Sequence, residues 1–434
     1  MVDVYKKESC RLCDGTQLTC ILELAPTPPG NHFLTQEQLA IPQATYPLDL
    51  YFCADCHHVQ LGHIVHPDIL YRHHYSYFSS TSPVFVNHLQ QYAHDIVYSY
   101  AIPTGSLVVD VGSNDGTALS FFKKAGYRTL GLDPATEVVS IANQKGIETL
   151  CEFFSLEVAK RYSSLYGKAA LINSHNVCAH IDELQSVFTG VHHWLAEDGL
   201  FVIEVGYFLD VFEKAYFDTI YHEHVDFHTF APLVKFFDRM GFQVIAVQRN
   251  TSQGGTLRIM SEKKGGSRPI DASVSQLLQL EKEKGLDQTA VLKQFSTRIN
   301  AVKKELNKMV RALKAAGYRI AGYGAPTKAT TLLTYFGLAD CLDYVVDDNP
   351  FKQNKFMPGL HLPVYPPQKM YDDKPDYLLV LSWNFADEIM RRQSRYLDQG
   401  GQFIVPMPKP RIVRELHKEN HGKEASTCTI TTSR

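Results

Sequence analysis

Several things are scarce in this chain of 434 residues. No apolar run approaches the roughly 20 residues that span a bilayer, and the N-terminus, MVDVYKKESC, has no apolar stretch of signal-peptide length. No basic block stands out, and Lys+Arg 43 against Asp+Glu 46 leaves a formal net charge of −3. A nucleic-acid footprint is therefore not supported, no membrane is expected, and the expected location is cytoplasmic. Nine cysteines are too few for a disulfide scaffold at this length. The H-E-x-x-H spacing of a zinc-binding helix is absent. What remains is an ordinary globular composition, 44% hydrophobic and 21% charged, at a length that implies two or three domains.

Four of the cysteines are organised. Cys10 with Cys13, and Cys53 with Cys56, form two C-x-x-C pairs, whereas Cys20, Cys151, Cys178, Cys341 and Cys428 are scattered. Two such pairs in a reducing compartment have the spacing of a tetrahedral zinc site, because four thiolates saturate Zn²⁺ and leave no open position. The metal is then structural, with no catalytic role. Two redox pairs or unrelated thiols are the alternatives. The long gap between Cys13 and Cys53, which contains APTPPG at 25–30, has to loop out and return.

From Pro83 onward apolar residues are spaced as in a helix, and IPTG at 102–105 breaks the pattern. SLVVDVGSNDG (106–116) reads as a strand, an acid and a glycine turn; helical TALSFFKKAG and a second strand, YRTLGLD (127–133), follow. This order opens a nucleotide-binding α/β domain. Its glycines let the backbone approach the ligand, and the closing acid accepts hydrogen bonds from ribose hydroxyls. Further strands are expected at AALIN (169–173) and LFVIEV (200–205), with a hairpin near 243–248 and 256–261. The loop is G-x-N-x-G rather than G-x-G-x-x-G. A closing antiparallel hairpin is characteristic of S-adenosylmethionine methyltransferases, whereas the sheet of nicotinamide enzymes stays parallel, so the methyl donor is preferred to NAD.

Residues 268 to about 316 are charged and read as a solvated connecting helix, although Leu292, Phe295, Ile299, Val302 and Leu306 repeat with a helical period. RIAGYGAPTKATTLLTYFG (319–337), with strands at 344–348, 376–382 and 401–408, is a second α/β unit. The expected divisions are 1–66, 67–265, 266–318 and 319–412, followed by a polar tail at 413–434.

Residues 221–229, YHEHVDFHT, concentrate three histidines, two acids and a tyrosine. Metal binding, proton transfer and a solvated loop are the three readings. His222 and His224 are two apart, which shares a face on a strand but not on a helix, and this disfavours a metal. For His222, Asp226 and His228 a solvated loop is expected.

The order of motifs resembles the nucleotide-sugar C-methyltransferases of deoxysugar biosynthesis, typified by C3-methyltransferases that act on 4-keto-6-deoxy sugars. The carriers are the two C-x-x-C pairs, YSYFSS (75–80), DVGSNDG (110–116), NVCAHIDEL (176–184), YHEH (221–224), GYGAPTKATTLL (322–333) and DDNPFKQNKFMPGLHLPV (347–364). The resemblance reaches to about residue 410. It implies an N-terminal zinc-binding module, a class I, Rossmann-like S-adenosylmethionine methyltransferase domain, and a C-terminal Rossmann-like α/β domain that helps to hold a sugar nucleotide.

The resemblance also assigns residues. Asp110, Gly112, Asn114, Asp115, Gly116, Asp133, Pro134 and Asn176 would surround S-adenosyl-L-methionine. Phe153 and Phe154 fall where a ring covers adenine, with core packing as the alternative; Phe154 is the choice carried forward. Proton handling falls to Tyr75, His180, Tyr221, Glu223 and His224. His224 is the expected general base, because imidazole suits proton removal near neutral pH. Tyr221 would stabilise an enolate or bind sugar hydroxyls, and Glu223 would orient or charge-tune a neighbour. Tyr71 and Tyr77 compete with Tyr75, and on pattern alone His180 is equally a capping or buried histidine. Gly322, Gly324, Ala325 and Lys328 form a turn that could receive a diphosphate, or a merely structural one. Tyr77, Asp347, Asp348, Asn349 and Lys352 are further candidate contacts to the substrate, a nucleotide-linked 4-keto-deoxy sugar. A monomer is compatible with three domains packing on one another. The rival enzyme is an O- or N-methyltransferase of another small metabolite, which needs neither enolate machinery nor the third domain.

Overall fold

The computed structural model describes residues 3–71 and 77–415. Tyr75 lies outside the described residues. No helix among them is long and apolar enough to cross a membrane.

The cysteine module is antiparallel. Its middle strand, Tyr46–Cys53, alternates buried and half-buried residues and pairs with Leu18–Thr27 on one side and Val59–Leu61 on the other. The fourth strand of this sheet comes from far along the chain: Asp226–Phe227, inside YHEHVDFHT, pairs with Val59–Leu61. A two-stranded ribbon, Val4–Lys6 with His63–Val65, completes the module.

The central sheet has seven strands. Leu107–Val111, wholly buried, is the middle one of its five parallel strands. Arg128–Leu132 and Thr149–Leu150 flank it on one side, Ala169–His175 and Leu195–Gly206 on the other, and all five run parallel. Thr256–Lys263 runs antiparallel beside Leu195–Gly206 and pairs outward with Phe242–Asn250. This closing hairpin on a parallel sheet is the class I S-adenosylmethionine methyltransferase arrangement. Ligands of such sheets bind at the carboxyl ends of the strands where the strand order reverses. Here that edge is formed by Leu107–Val111 and Ala169–His175.

In the third sheet, Pro363–Tyr365, Val345–Val346, Ile320–Tyr323, Tyr377–Val380 and Gln402–Val405 are parallel in that spatial order. Short antiparallel strands, Lys355–Phe356 and Arg411–Val413, close its edges. The order reverses between Ile320–Tyr323 and Tyr377–Val380, so the loops after these two strands share a crevice.

Helix Thr289–Ala315 corrects the solvated-connector expectation. Leu292, Phe295, Ile299, Leu306 and Val310 are all fully buried, and Phe295 meets Phe208 and Phe212 at 5.9 Å between ring centroids. Its charged face is solvated, but its apolar stripe is core, worth about 1.5–3 kcal/mol per buried side chain. In the preceding helix, Ala272–Lys284, buried Glu281 accepts the N–H groups of Phe230 and Ala231 at 2.6 and 2.8 Å. It thereby caps helix Phe230–Arg239 from another element. One apolar core, which includes Leu50, Val109 and Leu379, runs through all three sheets.

Candidate active site

At the central edge Gly112 has φ +74°, and a Cβ there would meet Val177 at 2.2 Å. Glycine is required by the turn and by the neighbouring loop together. Gly116 starts helix Thr117–Lys124 in the same left-handed region. Asp110 is buried and accepts from Asn173 at 2.5 Å; burial raises its carboxyl to about 8, the Asn173 amide opposing. Asp133 accepts the N–H groups of Asn114 and Ala135, each at 2.9 Å, and burial raises it to about 6 against those bonds. Each of its oxygens keeps a second lone pair. Pro134 follows, half-buried, and Asn176 turns left-handed (φ 55°) at the end of Ala169–His175.

Asn114 and Asp115 are engaged inside the protein. Asn114 accepts from Ser79 N at 2.9 Å and donates to the Tyr77 carbonyl at 3.1 Å. Asp115 accepts from Thr117 at 2.6 Å, from Lys145 at 3.1 Å and from Ser80 N at 3.3 Å. Their side chains fasten residues 77–80 over the glycine turn. The Tyr77 hydroxyl in turn accepts from Gln253 at 3.1 Å. Phe154, half-buried, lies parallel to Trp194 (7°, 6.2 Å) against the core, while Phe153 is 40% exposed.

Past Asn176 the chain enters the short turn Cys178–His180, which brings His180 within 5.0 Å of His224, ring to ring. Tyr71 stacks near His180 at 6.1 Å. His224 Nδ1 lies 2.8 Å from the Thr219 carbonyl, and Nε2 lies 2.8 Å from the Tyr221 hydroxyl. A carbonyl only accepts, so Nδ1 carries the proton, Nε2 keeps its lone pair, and Tyr221 donates to it. Burial pushes the His224 imidazole down to about 4, with the Thr219 carbonyl opposing. Burial, and then the neighbouring His224, hold His180 well below the usual histidine value.

Glu223 points the other way. Its carboxylate accepts from Asn31 Nδ2 at 2.8 Å, and burial raises it to about 7 against the Asn31 amide and the Lys352 ammonium. Its backbone carbonyl accepts from the Tyr71 hydroxyl at 3.2 Å.

The sulfurs of Cys10, Cys13, Cys53 and Cys56 lie within 4.8 Å of one another, with Cys10–Cys56 at 3.5 Å and Cys13–Cys53 at 3.6 Å. These separations are too long for disulfides. They suit a tetrahedral ion, whose thiolates at about 2.3 Å sit about 3.8 Å apart. Each pair ends on a left-handed residue, Asp14 (φ 62°) and His57 (φ 73°), so the two turns are built alike.

Residues 10–71 match the family model described as "Putative zinc binding domain", residues 85–247 "Methyltransferase domain", and residues 251–408 "C-methyltransferase C-terminal domain". C-methyltransferase NovU of Streptomyces niveus is 32% identical over 415 residues, 95% of this chain and 99% of that one. The chain belongs to the C-methyltransferase family. Solved structures similar to part of the chain include magnesium protoporphyrin IX methyltransferase from Synechocystis PCC 6803 with bound SAH. It is 16% identical over 42% of this chain and 85% of that one, with TM-score 0.33. An S-adenosylmethionine-dependent methyltransferase from Clostridium acetobutylicum ATCC 824 is 11% identical over 42% and 92%, with TM-score 0.33.

The rest of YHEHVDFHT in this C-methyltransferase overturns the solvated-loop expectation, since His222, Asp226 and His228 are all buried. Asp226 accepts from His58 at 2.8 Å and faces Arg11 at 3.5 Å. Arg11, from within the first C-x-x-C, also donates to the Val225 carbonyl at 3.1 Å and to Asp182 at 2.7 Å. His222 Nε2 lies 3.1 Å from the Tyr46 carbonyl. Within the stretch Tyr221 and His224 form the cluster with Thr219, while His222, Glu223 and Asp226 reach the cysteine module.

The third-sheet turn is occupied from within as well. Gly324 N donates to Val346 O at 2.7 Å, Ala325 N donates to Asp347 at 2.5 Å, and Pro326 has no N–H. These two backbone donors are engaged within the protein, at the turn that starts helix Thr327–Phe336. Asn349 caps its own turn by accepting from Phe351 N at 3.0 Å, and Asp348 accepts from Tyr323 at 3.0 Å and pairs with Arg392. Lys328 lies over Trp383 (3.7 Å to the ring centroid), donates to Asn384 at 2.7 Å, and is lowered to about 8 by burial, with Asp218 opposing. Lys352 donates to Ala325 O at 2.9 Å and is lowered by burial, with Asp347 and Glu223 opposing. Between this sheet and the central one lies a cleft of about 340 Å³, whose lining includes Phe85, His88, Tyr216, Gln253, Asn384 and Phe385.

Asn31, Thr219, Trp383 and Asn384 were not singled out by sequence reasoning. No local pattern marks them: Asn31, Trp383 and Asn384 acquire their roles from partners in other segments, and Thr219 takes part through its backbone carbonyl, which its side chain does not signal.

Proposed function

We propose that this S-adenosylmethionine-dependent C-methyltransferase methylates C3 of a nucleotide-linked 4-keto-6-deoxy sugar through an enolate, in branched-chain deoxysugar biosynthesis. The observation that carries the reading is the chain Thr219–His224–Tyr221, set against His180 at the carboxyl edge of the central sheet. Transfer to a sugar carbon requires a C–H acidified by a neighbouring ketone, a base to take the proton, and donors for the enolate oxygen. The cluster supplies the base and the donors.

His224 is the base in this reading. Nε2 takes the C3 proton once the Tyr221 hydroxyl swings from it to the acceptor's C4 oxygen. Nδ1–H on the Thr219 carbonyl holds the ring in place. The resting imidazole is a weak base, and the enolate charge forming beside it favours the imidazolium. Tyr221 donates to the enolate oxygen, His180 is the second polar group at hand, and Tyr75 keeps the proton-handling role that the family resemblance implies. Bound S-adenosylmethionine supplies the electrophilic methyl group. Asp133, Pro134, Asn176 and the Gly112 turn form its binding edge, with Phe153 rather than Phe154 available to cover adenine. We assign the nucleotide end to the cleft, where Phe85, Tyr216 and Phe385 offer ring faces and Gln253 and Asn384 offer amides. The four thiolates hold a structural Zn²⁺.

The test mixes the protein and S-adenosylmethionine with dTDP-, CDP- and GDP-linked 4-keto-6-deoxy sugars in D₂O, followed by mass spectrometry and proton NMR. A C-methylated product with C3 exchange that disappears in His224→Ala supports the reading. Methyl-donor binding without exchange or transfer on any sugar overturns the acceptor.

A further inference from the structure

The loop of the cysteine module that contains PPGN reaches the methyltransferase site. Asn31 is buried between two other parts of the chain: its Nδ2 donates to Glu223 at 2.8 Å, and its Oδ1 accepts the Thr327 hydroxyl at 2.9 Å. Both ends of the amide are therefore engaged, which fixes its orientation. The loop is seated closely. A Cβ on Gly30 would lie 2.6 Å from the Thr327 carbonyl, one on Gly359 would meet Pro28 at 2.8 Å, and Leu34 forms a bridge with Phe356.

We infer that Asn31 is a positioning residue for methyl transfer: it holds the carboxyl of Glu223, the chain neighbour of His224, in one rotamer and ties it through Thr327 to the third sheet. The inference rests on the reading of YHEH as the proton-handling segment. Glu223 follows His222 and precedes His224, so its backbone is part of the turn that sets the Tyr221–His224 bond. A carboxyl free to rotate there releases the YHEH turn from its tether to Thr327 and frees an ionisable group one residue from the base. The cysteine module then completes the active site as well as stabilising the fold.

Among the described residues, one charged group acts on Glu223. Lys352 approaches from the third sheet, with Asp347 behind it, and both remain in the variants below. The Asn31 amide favours the ionised carboxyl, so its removal moves Glu223 upward from about 7. Asn31→Asp, nearly isosteric, sets a second carboxyl against the first and moves it upward again by like-charge repulsion.

The experiment measures the Glu223 midpoint by infrared difference spectroscopy against Glu223→Gln, without substrate, in wild type, Asn31→Ala and Asn31→Asp. The pH profile of kcat is then recorded on the accepted sugar. The expected result is a higher midpoint in both variants, an acid limb of kcat displaced in the same direction, and a fall in kcat of roughly tenfold or more at neutral pH. The KM for S-adenosylmethionine stays unchanged. An unmoved midpoint, or a kcat lowered equally at every pH, overturns the inference and leaves Asn31 a packing residue. Asn31→Asp decides the matter if Asn31→Ala does not fold. A sugar panel without turnover counts against the acceptor alone, because the midpoint is read without substrate.

Discussion

His224 accepts the Tyr221 hydroxyl at Nε2 while Nδ1 donates to the Thr219 carbonyl, both at 2.8 Å. A histidine held this way has one tautomer, and its one lone pair is held by the Tyr221 hydroxyl until that hydroxyl turns to the acceptor. His224→Ala is expected to lower kcat by about 10²- to 10⁴-fold, the usual range for a lost general base. Affinity for S-adenosylmethionine, read by titration calorimetry, should not change. Tyr221→Phe keeps the base but loses the donor to the enolate, and should lower kcat without abolishing C3 exchange in D₂O. An undiminished kcat in His224→Ala removes His224 from the base role.

His222 is buried and its imidazole is pushed down to about 4 by burial, the Tyr46 carbonyl opposing. Its folded pKa lies below the unfolded value of about 6.5, so the unfolded chain binds the extra proton between those limits. This contribution to stability is intact above about pH 6.5 and is lost as the pH falls towards 4. His222→Gln, which retains a donor for Tyr46, should therefore flatten the acid side of Tm against pH. The difference from wild type should approach about 3 kcal/mol at the acid end. Parallel curves for the two proteins would show that His222 does not titrate in this way.

The four sulfurs gathered within 4.8 Å are expected to hold one Zn²⁺ per chain, as native mass spectrometry would report. Chelation or Cys53→Ser should lower Tm. The loss should extend to methyl transfer, because the strand Asp226–Phe227 and the bonds of Arg11 join this module to the YHEH segment. A metal-free protein with unchanged Tm would refute a structural ion.

Gly30→Ala places a methyl group 2.6 Å from the Thr327 carbonyl, a backbone atom that has no side-chain freedom to yield. Overpacking of this kind typically costs about 1–3 kcal/mol. We expect a lower Tm and faster proteolysis between the cysteine module and the third sheet. An unaltered Tm would mean that the two segments are not seated against each other as described.

The elements readable from the sequence are those built by near neighbours. The C-x-x-C pairs are visible because their ligand spacing lies within a single turn. The strand Leu107–Val111 and the glycine turn after it are visible because an apolar run and a left-handed glycine specify their conformation within a few residues. The order of such units was enough to anticipate a class I methyltransferase sheet and its family. Tertiary structure alone decided how the segments serve one another. It sent Asp226–Phe227 into the sheet of the cysteine module, packed Phe154 half-buried against Trp194 while leaving Phe153 exposed, and brought Asn31 to Glu223, 192 residues away. Burial, tautomer and charge at these positions depend on which distant surfaces meet. Short-range propensity carries no information about that, and the meeting is set by the packing of the whole chain.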